Sequence, residues 1–223
     1  MYTPSLADRI SGSAPLRRRQ ATARALAHLL GRVDMRGLDN VPATGPVILA
    51  VNHRDFLDGP LLFGFVHRPV SFLVKTEAFT RLWTPMLEGT GQIPVVRHRP
   101  DVAAVRLSLR LLQGGGVIGV FPEGSRGDGL VKTARPGVGY LALRTGAKVV
   151  PVACHGTDRL VHRSSVRRPA VLITFGTALD LGRVPDGWRV SRQAVLTATE
   201  RVRTVLADLV AETTLPAELG LAA

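Results

Sequence analysis

A histidine followed five residues later by an aspartate, in Asn52-His53-Arg54-Asp55-Phe56-Leu57-Asp58, is an arrangement able to move a proton. The carboxylate would fix the imidazole tautomer and stabilise the imidazolium, leaving the second ring nitrogen to take a proton from a hydroxyl. General-base help of this kind is typically worth about 10² to 10⁴ in rate. Regular secondary structure keeps the two side chains apart. On a helix they lie roughly 140° out of phase, and on a strand they sit on opposite faces roughly 16 Å apart. A turn is required, and one is available: an apolar strand ends at Val51, and Asp58-Gly59-Pro60 reads as a helix start with Asp58 as N-cap. The plainer alternative makes Asp58 a cap only and His53 a hydrogen-bonded loop residue.

Phe121-Pro122-Glu123-Gly124-Ser125-Arg126 offers a complementary chemistry. Gly124 permits close backbone approach to a ligand. Arg126 can hold a phosphate through two parallel hydrogen bonds. Glu123 can accept from a substrate hydroxyl or hold Arg126 in place. Taken alone, the same residues also read as a strand followed by a charged turn.

These loops need elements to position them, and the hydrophobic periodicity supplies an alternation of strands and helices. Residues 1–15 read as a lead-in, followed by a helix from Leu16 to Leu30 whose larger apolar residues are Leu26, Leu29 and Leu30. Strands are expected at Val47–Val51, Val70–Val74, Gln92–Val96, Val117–Phe121, Lys148–Ala153 and Ala170–Phe175. Helices are expected at Gly59–Val66, Glu77–Leu87, Asp101–Leu112, Val138–Arg144 and Ser191–Ala211. The class is α/β: one layered sheet flanked by helices. We divide the chain into a basic N-terminal segment, residues 1–33, and a single domain, residues 34–223.

The formal net charge of +12 favours acidic partners: phospholipid headgroups, nucleic acid or acidic carrier proteins. Arginine carries nearly all of it, the only lysines being Lys75, Lys132 and Lys148. Residues 1–33 hold six arginines against Asp8. Such a helix can lie in the interface of an anionic membrane, or pack on its own domain with its arginines in water. A single cysteine, Cys154, can form no internal disulfide, so a reducing compartment is expected. No run reaches the roughly 18 to 20 apolar residues of a membrane span, and arginines interrupt any signal-like stretch. We therefore expect a cytoplasmic protein in peripheral contact with the inner face of the cell membrane.

His53 and Asp58, with Phe121–Arg126 about 65 residues further on, resemble the glycerolphosphate acyltransferase superfamily, particularly its 1-acyl-glycerol-3-phosphate acyltransferases. Gly91-Gln92-Ile93-Pro94-Val95-Val96-Arg97 is similar to that family's second block, and Val149-Val150-Pro151-Val152 to its fourth, an apolar block near the acyl site. The resemblance runs from about residue 36 to 178 and implies a glycerol-3-phosphate acyltransferase-like fold. It implies His53 as base and Asp58 as its orienting partner. Arg97, Glu123, Gly124, Ser125 and Arg126 would form the phosphate and glycerol site, with Lys75 adding positive charge. The implied substrates are a lysophospholipid acceptor and an acyl-CoA or acyl carrier protein donor, without a further cofactor. Ser125 stands where threonine is usual, and the N-terminal membrane span usual in the family is not expected from these residues.

Other readings fit less well. Glu123-Gly124-Ser125-Arg126-Gly127 departs from the G-x-S-x-G elbow of hydrolases. Cys154, His155 and His162 follow no common zinc spacing. Arg159, Arg163, Arg167 and Arg168 form a basic cluster, yet no nucleic-acid-binding motif accompanies it, and 5% aromatic content gives little for bases to stack on. No specific nucleic acid is expected.

Overall fold

Five consecutive apolar residues form strand β2 (Val47–Val51), and all five are buried. An unbroken apolar run suits a parallel strand covered on both faces. β2 pairs in parallel with β5 (Val117–Val120) on one side and β6 (Lys148–His155) on the other. β3 (Val70–Lys75) and then β4 (Ile93–Val95) continue the parallel sheet beyond β5. Beyond β6 lies β7 (Ala170–Phe175), antiparallel to it, and then β1 (Arg32–Arg36), parallel to β7. The seven strands follow the order β1-β7-β6-β2-β5-β3-β4. A computed structural model describes residues 14–96, 100–160 and 169–213.

The strand period of two divides the core. Ile48, Ala50, Ile118 and Val149 pack with Leu111 and Leu112 of α4 (Val102–Gln113), Leu141 of α5 (Gly137–Thr145), and Val202 and Leu206 of α6 (Arg192–Glu212). Val47, Leu49 and Val51 pack on the other face with Leu61 and Leu62 of α2 (Asp58–Phe65) and Ala27 of α1 (Ala14–Leu30). Asp101 and Ser191 cap α4 and α6, accepting from the amides of Ala104 and Ala194.

Three local expectations change. Arg32-Val33-Asp34-Met35-Arg36 is a strand that periodicity did not mark, since an edge strand with three charges in five residues lacks an apolar run. The proposed boundary after residue 33 falls inside it. The helix expected over Glu77–Leu87 is instead a 3₁₀ turn, Thr76–Ala78, followed by a short helix α3 (Thr84–Gly89). Pro85 sets that start, because proline is accommodated in a helix's first turn and breaks its interior. On α1, where a membrane-facing and a packed helix were both open, the leucines divide between the two sides, Leu30 packing partly against the core. Leu16 and Ala27 are buried, whereas Leu26 and Leu29 are 53% and 64% exposed.

α1 is fastened by polar groups at the ends of two other helices. Gln20 Nε2 donates to the carbonyls of Phe63 (3.0 Å) and Val66 (3.2 Å) at the C-terminal end of α2. Arg19 Nη1 donates to the carbonyl of Gly89, the last residue of α3. Both contacts satisfy carbonyls that a helix end leaves without intrahelical partners. Gln20→Ala should therefore lower stability by about 1 kcal/mol, read as a lower urea midpoint at unchanged m-value.

Candidate active site

Ligands of open parallel sheets sit outside the carboxyl ends of the strands. Here five neighbouring parallel strands end on the same side. β2 leads to His53, β5 leads to the Glu123 loop and β3 ends on Lys75. Sheet order thus gathers motifs that lie far apart in the chain. Arg97, after β4, lies outside the described residues.

His53 and Asp58 meet across a tight turn: His53 Nδ1 is 3.0 Å from Asp58 Oδ2, with the residues 7% and 0% exposed. A donating Nδ1–H leaves Nε2 with a lone pair for substrate. Asp58 is not the N-cap expected. It is the first residue of α2, and Leu57 occupies the cap position without a side-chain bond. The carboxylate instead reaches back to the loop, where Oδ2 also accepts the amides of Arg54 and Asp55, each at 3.0 Å. Two backbone amides and the imidazole thus converge on one carboxyl oxygen at the N-terminus of α2. Asp55, also buried, accepts the Leu57 amide through Oδ1 and closes the turn.

The Glu123 loop holds the backbone of His53 from both sides. Glu123 Oε1 accepts the His53 amide at 3.1 Å, and the Gly127 amide donates to the His53 carbonyl at 3.2 Å. Glu123 therefore braces the His53 backbone, a contact separate from the substrate-hydroxyl and Arg126 roles its chemistry suggested. Burial raises the Glu123 carboxyl above its ordinary value; the His53 amide bond opposes this, Asp128 adds to it, and smaller opposed contributions come from His53 and Asp58. Gly124 adopts φ 75°, and the Arg135 side chain crosses it closely enough that an added Cβ would lie 2.2 Å from Arg135 Nε. The left-handed conformation calls for glycine there, whereas the Arg135 side chain could swing aside.

Asn52 supplies a support that no sequence signal distinguished from loop polarity. Fully buried, it accepts the Cys154 amide (2.7 Å) and donates to the carbonyls of Cys154 (3.1 Å) and Gly129 (3.3 Å). This joins the ends of β2 and β6 to the far limb of the Glu123 loop. Phe121, noted in the sequence only as part of its motif, stacks on the His53 ring with centroids 3.9 Å apart. Of the remaining candidates, Cys154 is a buried thiol whose pKa burial pushes well up, and His155 Nε2 contacts Thr213 Oγ1. His162 and three arginines of the basic cluster, Arg163, Arg167 and Arg168, lie outside the described residues.

His53 faces a groove of about 800 Å³ with mostly apolar walls. α1 contributes Thr22, Ala23 and Leu26; α2 contributes Gly59, Pro60 and Phe63; α3 contributes Pro85, Met86 and Leu87. Lys75 and Arg126, both exposed, also line it. Ser125 is exposed, while Glu123 and Gly124 are partly buried behind. Val149–Val152 lie buried in β6 and take no part in the lining.

A buried His–Asp pair thus lies at the carboxyl ends of the parallel strands and opens on an apolar groove that Arg19, Lys75 and Arg126 also line. The chain belongs to the Acyltransferase family, whose sequence model matches residues 32–155. It is 31% identical over 173 residues to a 1-acyl-sn-glycerol-3-phosphate acyltransferase of Chlamydomonas reinhardtii, covering 74% of this chain and 52% of that protein. It is 28% identical over 139 residues to the chloroplastic enzyme LPAT1 of Arabidopsis thaliana, covering 60% of this chain and 39% of that one. A Bacillus subtilis 1-acyl-sn-glycerol-3-phosphate acyltransferase is 27% identical over 135 residues, 60% of this chain and 67% of its own length. The match thus spans about 40–50% of the length of the plant and algal relatives. The fold is shared with the crystal structure of the 1-acyl-sn-glycerophosphate (LPA) acyltransferase PlsC of Thermotoga maritima: TM-score 0.63 at 24% identity, covering 90% of this chain and 81% of that one.

The raised Glu123 pKa makes a stability prediction. Folding is disfavoured by the ionised carboxylate above its folded pKa, and this cost vanishes below the unfolded value of 4.5. Glu123→Gln keeps an oxygen for the His53 amide without the charge. Its melting temperature should exceed the parent's at pH 7, with the difference shrinking as pH falls to about 4.

Proposed function

We propose that the protein transfers a fatty acyl group from acyl-CoA or acyl carrier protein to the hydroxyl of 1-acyl-glycerol-3-phosphate, giving phosphatidate for phospholipid synthesis. The observation that carries this reading is the His53–Asp58 pair facing an apolar groove that Lys75 and Arg126 also line. An acyl chain suits the walls, and a phosphate suits the cations. Acceptors without a phosphate, such as a glycolipid or simple alcohol, would leave both cations without a role.

In this mechanism His53 Nε2 takes the proton of the acceptor hydroxyl as its oxygen attacks the thioester carbonyl carbon. The tetrahedral oxyanion collapses, the C–S bond breaks, and the departing thiolate recovers the proton from the imidazolium. Asp58 keeps Nδ1 protonated throughout and offsets the transient positive charge.

The groove's rim favours a lipid surface. Leu26, Phe56 and Met86 line it and are 53%, 55% and 47% exposed, and Leu82 and Trp83 next to α3 are 77% and 52% exposed. Exposed Arg17, Arg18 and Arg24 on α1 add charge suited to an anionic inner leaflet. Among the described residues no helix is long and apolar enough to cross a membrane. The contact we propose is peripheral, with substrates passing from the bilayer into the groove.

His53→Ala should abolish transfer of acyl groups from acyl-CoA or acyl carrier protein to lysophosphatidate, by about 10² or more, while leaving the melting curve in place; full turnover would refute the base assignment. Arg126→Ala should raise KM for phosphorylated acceptors more than for unphosphorylated ones in a mass-spectrometric acceptor screen. Leu26→Glu with Met86→Glu should weaken sedimentation with phosphatidylglycerol vesicles, and undiminished binding would refute the membrane face.

A further inference from the structure

Asp58 holds the His53 ring by one edge, and one hydrogen bond leaves the ring able to pivot about it. The face of the ring is held by a second device. Phe121 lies against the imidazole at 3.9 Å between centroids with planes 21° apart, and Phe72 lies 5.5 Å behind Phe121, again at 21°. Phe72 is 4% exposed and packs against Gly119 in β5. A Cβ on Gly119 would fall 2.0 Å from Phe72 Cε1 and 2.4 Å from its Cδ1, closer than atoms can approach. Gly119 is absent from the positive-φ residues, so its backbone conformation makes no demand for glycine. A glycine inside a strand weakens it, and its use here is explained by the close approach of the Phe72 ring.

We propose that Gly119, Phe72 and Phe121 form a positioning stack that fixes the plane of the His53 imidazole and aims Nε2 into the groove. The catalytic part of this proposal rests on the acyl-transfer reading above. Asp58 sets the tautomer, while the stack sets the direction in which the basic lone pair points. The stacked ring also presents its electron-rich face to the imidazole, an arrangement that favours the cation formed once His53 has taken a proton. Phe121 and Phe72 border the groove as well, so changes in substrate binding must be separated from changes in ring placement.

The test has two arms, both on the full chain. In the first, histidine ring protons are observed by NMR, with His53→Gln assigning the His53 signals among the six histidines. Ring current from Phe121 should place the His53 ring protons upfield. Phe121→Leu should return them toward ordinary positions, and Gly119→Ala, whose added Cβ meets Phe72 rather than Phe121 or His53, should shift them by displacing Phe72. Phe72→Leu serves the same purpose if Gly119→Ala does not fold. In the second arm, with long-chain acyl-CoA and 1-acyl-glycerol-3-phosphate, Phe121→Leu should lower kcat about 10- to 100-fold with KM within about 3-fold. Phe121→Tyr should restore most of the loss.

His53 signals unmoved in Phe121→Leu would overturn the stack. A kcat equal to the parent's, or a loss confined to KM, would overturn its positioning role. Absence of transfer by the parent protein itself would overturn the acyl-transfer reading and the catalytic half of this proposal together, while the NMR arm still decides whether the stack exists.

Discussion

A single oxygen, Asp58 Oδ2, gathers the His53 imidazole and two loop amides into one acceptor site. The constraint is severe because the residue is fully buried and its other oxygen, Oδ1, has no hydrogen-bond partner among the described residues. A buried carboxyl group needs hydrogen-bond donors in place of water, and these three partners meet that need at Oδ2. They also dictate the turn's shape, since residues 53, 54 and 55 must all face the same atom. The end of β2, the entrance to α2 and the direction of the imidazole then follow from one another.

The remaining supports act on this turn. Glu123 and Gly127 hold the amide and carbonyl of His53, Asn52 ties the end of β2 to β6, and Arg54 Nη1 reaches the carbonyl of Asp128 at 3.3 Å. The same loop carries Arg126 into the groove. Base and cation are therefore set by one connected network, and displacement of the Glu123 loop would move both.

The sequence was most informative where periodicity was long. Val47–Val51 and Ala170–Phe175 match their strands end for end, and α4 and α6 differ from expectation by about a residue. It was silent at β1, whose pairing with β7 rests on backbone bonds that Arg32-Val33-Asp34-Met35-Arg36 does not advertise. The residues of the two site motifs could be named from their chemistry, but Asp58 was given the wrong local role. A side chain that reaches back to the preceding loop and one that caps the helix ahead look alike as letters. Asn52 and Phe121 gained their roles only through tertiary partners: Cys154 is 102 positions away, and the imidazole face is reached by a neighbouring strand. On α1 the leucine pattern did not distinguish the packed side from a lipid-facing one: Leu16 and Ala27 are buried in the core while Leu26 joins the groove rim.

Those distances along the chain also impose an order in time. His53 is 70 residues from Glu123, and Asn52 is 102 residues from Cys154. At ribosomal rates of about 5–20 residues per second, the last of these supports follows the turn by roughly 5–20 seconds. For the first two thirds of that interval β2 has been made without either parallel neighbour, and after β5 is complete at Val120 it still lacks β6, so five apolar residues wait for their sheet. Non-local parallel pairing of this kind forms slowly and is vulnerable to aggregation while it waits. The same layout that brings the site together from distant segments leaves its central strand dependent on protection during synthesis.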